Sequence, residues 1–216
     1  MLTAHAVIPA TLIGHSWGAW LSLMLTARSP HLVEKLVLVA SGPFTSEYAA
    51  EIAPARDARL SPQEPRDLER IEEALQSATG TEKNGLFAEY AALSSKIDSY
   101  SPIEAPNEIL SGGLDVFEAV WPEAALLRDN GHLLEMARHV VCPVIAIHGD
   151  YDPHPIAGVE KPLSSAVKDF HVVLLEKCGH TPWLERDARE AFYAVLLREL
   201  RRGRGTDEHI ALTPKG

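Results

Sequence analysis

Cysteine is scarce in this 216-residue chain: two occur, Cys142 and Cys178, 36 residues apart. That is too few for a disulfide scaffold, and no Cys/His spacing resembles a zinc site. No apolar run approaches the roughly 18 residues of a membrane helix. Positive charge is short as well, with 20 Lys and Arg against 30 Asp and Glu, and a net charge of -10 opposes binding to a polyanion such as nucleic acid. Met1 to Pro9 lacks the charged start and long apolar stretch of a secretory signal, so a reducing, cytoplasmic setting is expected. No internal repeat is present. What remains is an ordinary globular composition, 46% hydrophobic and 23% charged, sufficient for one buried core.

Four short apolar runs stand out: Thr11 to Ile13, Leu36 to Ala40, Val144 to Ile147 and Val172 to Leu175. Each is strand-length and lacks polar alternation, the pattern of strands buried on both faces of a parallel sheet. Trp17 to Ala27 is apolar nearly all round and reads as a buried helix; Asp187 to Leu200 carries Ala188, Ala191, Phe192, Val195 and Leu196 on one face. Strand, helix, strand in alternation predicts an α/β class with a parallel sheet and flanking helices.

Between about Phe44 and Arg138 there is no comparable strand run. Helical stretches around Arg66 to Ser77, Leu86 to Ile97 and Glu123 to Ala137 are punctuated by Pro54, Pro62, Pro65, Pro102, Pro106, Gly112 and Gly113. The expected division is a discontinuous core, 1–43 and 139–203, an inserted helical cap, 44–138, and a polar tail, 204–216, whose basic start around Arg201 to Arg204 suits a solvated terminus. The acidic excess sits in the insert. Glu47 to Glu135 holds 18 acidic and 7 basic residues, the rest of the chain 12 and 13.

The chemistry begins at Gly14-His15-Ser16-Trp17-Gly18, which follows the first strand and opens the first helix. G-x-S-x-G in that context is a nucleophile elbow, a tight turn that exposes the Ser hydroxyl above the sheet. Its glycines are expected where a Cβ would collide with the turn or with neighbouring strands. The helix N-terminus behind Ser16 lets the Trp17 N–H face a developing oxyanion. Partners follow the third and fourth strands: Asp150 and Asp152 in His148-Gly149-Asp150-Tyr151-Asp152-Pro153-His154, and His180 in Cys178-Gly179-His180. Functional groups of open α/β sheets sit at these C-terminal strand ends. His15, His148 and His154 read as packing, strand-end and loop residues, and both cysteines as inert buried thiols.

Together these stretches resemble the α/β-hydrolase fold family of serine hydrolases, over nearly the whole chain, with the cap matching only in position and helical character. The resemblance selects Asp152 over Asp150 as the acid and implies acyl transfer to water. Ser16 is then the nucleophile, His180 the general base, Asp152 its orienting acid and the Trp17 N–H one oxyanion donor. No cofactor and no metal are called for. The family normally has about four strands before the elbow, with a loop giving the second oxyanion donor, so the chain is expected to be an N-terminally shortened version. The Gly-His-Ser-Trp-Gly elbow is similar to that of proline-iminopeptidase-like members, which read a substrate's free ammonium with cap carboxylates. Glu118, Glu123 and Glu135 are the candidates for that task, and Trp183, beside His180 in sequence, is a candidate pocket wall. The expected partner is a small-molecule ester or amide, with no nucleic acid and no membrane; oligomeric state stays open. The competing expectation is a non-catalytic relic that binds a small molecule or a partner.

Overall fold

The computed structural model describes residues 8–103 and 113–202. Four strands, β1 (Ala10–His15), β2 (Val33–Val39), β3 (Val144–Gly149) and β4 (Phe170–Leu175), form one parallel sheet in the order β1-β2-β3-β4. Helix α1 (Trp17–Arg28) connects β1 to β2, α8 (Ala157–Ala166) connects β3 to β4, and α9 (Arg189–Arg201) follows β4. The interval between β2 and β3 is helical: α2 (Ser46–Ala49), α3 (Ile52–Asp57), α4 (Glu64–Ser77), α5 (Gly80–Ile97), α6 (Gly113–Asp129) and α7 (His132–Ala137).

The unalternating runs of β2 and β3 have a direct cause. Leu36, Leu38, Val144 and Ala146 pack into a cluster with Ala19, Leu23, Phe44, Leu133 and Leu163 on one face of the sheet. Val37, Val39, Ile145 and Ile147 pack with Leu175, Ala188 and Phe192 on the other. Both faces of the central strands are therefore dry, and every position favours an apolar side chain. The outer strands differ from the expectation of full burial. Ile13 of β1 and Leu174 of β4 are about half exposed, because each strand lies at an edge of the described sheet and the flanking helices do not cover it completely.

Two other differences are local. The expected helix over Glu123 to Ala137 is broken into α6 and α7 at Asn130-Gly131, where Gly131 adopts φ 78°, a left-handed conformation that favours glycine. Helix α8 has no counterpart among the expected elements, because Pro155, Gly158 and Pro162 obscure its pattern. Gly158 is there for packing: a Cβ would lie 2.6 Å from Tyr48 Cβ and 2.7 Å from Pro43 Cβ. The insert is not separate from the core throughout, since Ala124, Leu133 and Ala137 belong to the same apolar cluster as α1. Trp121 of α6 also stacks on Trp20, with ring centroids 6.2 Å apart and planes 6° from parallel. Among the described residues no helix is long and apolar enough to cross a membrane. The expected helix end at Met1 to Ala6, the turn residues Pro106 and Gly112, and the 204–216 tail lie outside the described residues.

Candidate active site

Ser16 sits between β1 and α1 with φ 53° and ψ -121°, a conformation a side chain rarely adopts. Such strain costs on the order of 1–3 kcal/mol and persists only where the surroundings over-determine it. Here the Ser16 N–H donates to the Val39 carbonyl of β2 at 2.9 Å and the Ser16 carbonyl accepts from the Ala19 N–H at 3.0 Å. Gly14 is sterically required, because a Cβ would meet the Gly18 carbonyl oxygen at 2.3 Å. Gly18 is not. A Cβ there would enter open space, so the symmetrical role expected for the two glycines holds only for the first.

The loops after β3 and β4 close on this elbow. His180 Nε2 lies 3.0 Å from Ser16 Oγ, and His180 Nδ1 lies 2.8 Å from Asp152 Oδ2. Ser16, His180 and Asp152 thus form one continuous chain of hydrogen bonds drawn from three strand ends. The Asp152 side chain is fully buried. Burial by itself raises a carboxyl pKa, but hydrogen bonds from His154 and His180 and the charge on His180 outweigh it and hold Asp152 far below the usual carboxylate range. Asp150, the rival carboxylate, is exposed and instead accepts the Cys178 N–H at 3.1 Å, bracing the loop that carries His180. The two loops touch at their backbones: a Cβ on Gly149 would come within 2.1 Å of the Cys178 carbonyl oxygen.

Three further imidazoles surround the chain. His15 donates through Nε2 to the His180 carbonyl at 2.8 Å. Burial first, and then the charge of His180, push its pKa down to about 4, so it is neutral at pH 7. His148 is buried and donates through Nε2 to the His154 carbonyl at 2.7 Å; burial pushes its pKa down too, and its buried Nδ1 has no hydrogen-bond partner. His154, read from sequence as a loop residue, is part of the site. Its backbone N–H and its Nδ1 reach Asp152 Oδ1 at 2.9 and 2.7 Å. Its ring also stacks on His180, with centroids 4.5 Å apart. Asp152, His154 and His180 bring ligand-type atoms within 4.8 Å of one another. Their Nδ1 atoms face carboxylate oxygens at hydrogen-bond distance, the arrangement of a proton-bridged cluster.

The loop bearing His180 is tied to the segment just after α5, in the middle of the helical insert. The His180 N–H donates to the Asp98 carbonyl at 2.9 Å, and the Asp98 carboxylate is gripped by Arg56 of α3 through Nε at 2.8 Å and Nη2 at 2.5 Å. Glu185, 1% exposed, accepts the backbone N–H groups of Gly179, Tyr100 and Ser101 at 2.9, 2.8 and 2.7 Å. The Arg59 guanidinium lies 3.9 Å over the Tyr151 ring, and Tyr100 meets the same ring edge-on.

The remaining expected residues fall as follows. Trp17 is the first residue of α1, so its N–H has no intrahelical acceptor, and its ring packs edge-on against Trp20. Trp183 packs edge-on against His15 and beside Phe192, on the apolar cluster beneath the site. Glu118 pairs with Lys83 and Glu135 with Arg138, while Glu123 is exposed. Among the described residues none of these three carboxylates bonds to Ser16, His180 or Asp152. Cys178 is buried and its thiol is pushed up to about 12, first by burial, consistent with an inert thiol.

An elbow serine on a parallel sheet, with an acid and a histidine delivered by later strand ends, defines the α/β-hydrolase class. The chain belongs to the alpha/beta hydrolase family, whose model matches residues 3–195. Among solved structures it is similar to VinJ, at 23% identity and TM-score 0.59 over 88% of this chain and 65% of that one. It is also similar to the proline iminopeptidase of Mycobacterium smegmatis, at 19% identity and TM-score 0.60 over 93% and 67% of the two chains. A membrane phospholipase A matches at 19% identity and TM-score 0.53, over 93% of this chain and 60% of that one. The chain therefore spans about two thirds of the length of these structures. No curated protein matches it.

Proposed function

We propose that this chain is a serine hydrolase that cleaves an ester or amide of a small-molecule substrate through an acyl-enzyme. The observation that carries the proposal is the unbroken Ser16–His180–Asp152 chain at 3.0 and 2.8 Å, with the serine held in a strained turn at a helix start. In this mechanism Ser16 Oγ attacks the carbonyl carbon while His180 Nε2 takes its proton. Negative charge gathers on the carbonyl oxygen near the Trp17 N–H at the positive end of α1. The tetrahedral adduct collapses as His180 returns the proton to the leaving oxygen or nitrogen. Water then repeats the sequence on the acyl-enzyme and frees Ser16. Asp152, ionised and buried, holds Nδ1 of His180 protonated and offsets the positive charge that His180 acquires.

Residues 44–138 serve as the cap over this site, with 1–43 and 139–203 as the catalytic core. Of the three candidate cap carboxylates, Glu123, exposed and without an ion partner among the described residues, is the one left free to meet a substrate ammonium, because Glu118 and Glu135 are already paired. Two free, buried cysteines suit a reducing compartment, in line with a cytoplasmic location. The test is reaction with a fluorophosphonate probe, which labels only an activated serine quickly. The wild-type chain is expected to label, and Ser16→Ala and His180→Ala are not. Absence of labelling in the folded wild type favours a non-catalytic binding module; equal labelling of wild type and Ser16→Ala removes Ser16 as the nucleophile.

A further inference from the structure

The proposed mechanism uses one imidazole on Asp152, yet the carboxylate holds two. Oδ2 faces His180 Nδ1 at 2.8 Å, and Oδ1 faces His154 Nδ1 at 2.7 Å. Ligand-type atoms of the three residues lie within 4.8 Å of one another, the one such grouping among the described residues. We infer that Asp152, His154 and His180 form a binding site for a zinc ion, and that the ion, once bound, stops hydrolysis by Ser16. The site stands on these three residues alone; the inhibition rests on the proposed roles of Ser16, His180 and Asp152.

Two imidazoles and a carboxylate suit zinc, whereas magnesium and calcium favour oxygen ligands. Zinc holds nitrogen and oxygen at about 2.0–2.2 Å, which sets neighbouring ligand atoms roughly 3.0–3.4 Å apart. The N···O pairs at 2.7 and 2.8 Å therefore need to open by a few tenths of an ångström for an ion to stand where protons now lie. The Asp152 side chain is fully buried, but 14% of the His154 side chain and 15% of that of His180 are exposed, which gives the ion a way in and water a place in its shell.

The surrounding charge favours a dication. Asp150 and Glu185 lie close enough to Cys178 to add, with Asp152, to the rise of its thiol. The Arg56 guanidinium of α3, which also feels Asp152, is already gripped by the Asp98 carboxylate. His15 and His148 are pushed down by burial and neutral at pH 7, and each gives its Nε2–H to a carbonyl. Cys178 does not compete as a ligand, because its thiol keeps its proton up to about 12.

Inhibition follows from the tautomer. Zinc takes the in-plane lone pair of Nδ1, so the proton of each neutral ring moves through solvent to Nε2. No proton is lost from the site, and its charge rises by two. Nε2 of His180, 3.0 Å from Ser16 Oγ, then donates to the serine and has no lone pair with which to take its proton. Asp152, drawn onto the ion, no longer orients His180.

The experiment titrates zinc chloride by calorimetry into the 216-residue chain and into Ser16→Ala, which keeps all three ligands. Fluorophosphonate labelling of the wild type is followed near pH 7 with and without zinc. Both proteins are expected to bind the ion alike, and labelling at saturation should fall to the rate of His180→Ala and recover on adding EDTA. Magnesium chloride should leave the rate unchanged. In His154→Phe, whose ring is flat but carries no ligand atom, zinc affinity should fall by more than about a hundredfold, since loss of an outer partner alone costs a metal site about ten- to a hundredfold. His154→Ala makes the same comparison if circular dichroism shows that the larger ring is not accommodated. Equal affinity in the wild type and these variants assigns the ion to other histidines and overturns the site, as does absence of binding. Binding without slower labelling overturns the inhibition. A wild type that binds zinc through His154 but never labels upholds the site and overturns the hydrolase reading instead.

Discussion

Glu185 is the residue whose removal the structure predicts most sharply. Its buried carboxylate takes three backbone N–H groups from two segments far apart in sequence, Tyr100 and Ser101 just after α5 and Gly179 beside His180. Glu185→Ala leaves all three donors without an acceptor in a site 1% exposed. Each such loss costs about 1–3 kcal/mol. Part of the sum is returned because no ionised group then has to be desolvated, which leaves a net loss of about 3 kcal/mol. For a chain of this size that is a fall in Tm of roughly 6–12 °C. Glu185→Gln should lie between the two, since an amide keeps one oxygen acceptor and turns an NH2 toward the remaining donors. Urea unfolding followed by circular dichroism gives the free energy, and the slope shows whether the same surface is exposed in each variant. In protein still folded at low temperature, Glu185→Ala should also label more slowly at Ser16, because Gly179 is the neighbour of His180. A loss below about 1 kcal/mol with an unchanged slope would mean that water replaces the carboxylate without cost, and the clamp would be structurally idle.

Asp152→Asn should cut the labelling rate by several orders of magnitude and Asp150→Asn by little, since only Asp152 fixes the His180 tautomer; stopped labelling measurements rank the two, and the reverse order refutes the assignment. Gly14→Ala should destabilise by more than about 2 kcal/mol through backbone overlap, whereas Gly18→Ala should be neutral or stabilising by up to about 1 kcal/mol through helix propensity; urea midpoints decide. Stability should fall as pH drops from about 6.5 to 4, because the unfolded chain protonates His15 in that range and the folded one does not. The size for His15 alone is about 3 kcal/mol, and His148 adds with the same sign. His15→Asn should flatten this dependence in urea titrations at pH 7 and 4.5, and an unaltered dependence would assign it elsewhere.

Which of these features the sequence disclosed follows from how local their causes are. The strands of the centre were legible because burial on two faces leaves an unbroken apolar run. Ser16, Asp152 and His180 were legible because each stands in a Gly-containing turn directly after such a run. The exposure of Ile13 and Leu174 was not, since strand order within a sheet leaves no mark on a single strand. Helix α8 was hidden by the Gly and Pro that let it pack against Pro43 and Tyr48. Glu185 and Asp98 were hidden for a different reason: both reach backbone groups more than 80 residues away, and a backbone N–H has no sequence signature. His154 was visible in Asp152-Pro153-His154-Pro155 but had no periodicity to set it apart from an ordinary loop histidine.

The place of Ser16 at the end of β1 has a kinetic side. Among the described residues β1 pairs with β2 alone, and the strained serine is fastened to Val39 of that neighbour by one amide. Edge strands open in small local fluctuations that cost far less than unfolding the molecule. Amide hydrogens of Leu12 to Ser16 should therefore exchange with deuterium sooner than those of Leu36 to Val39. On gentle warming the Ser16 hydroxyl should lose its alignment with His180 while the central strands still hold, so fluorophosphonate labelling should fall before the molecule melts.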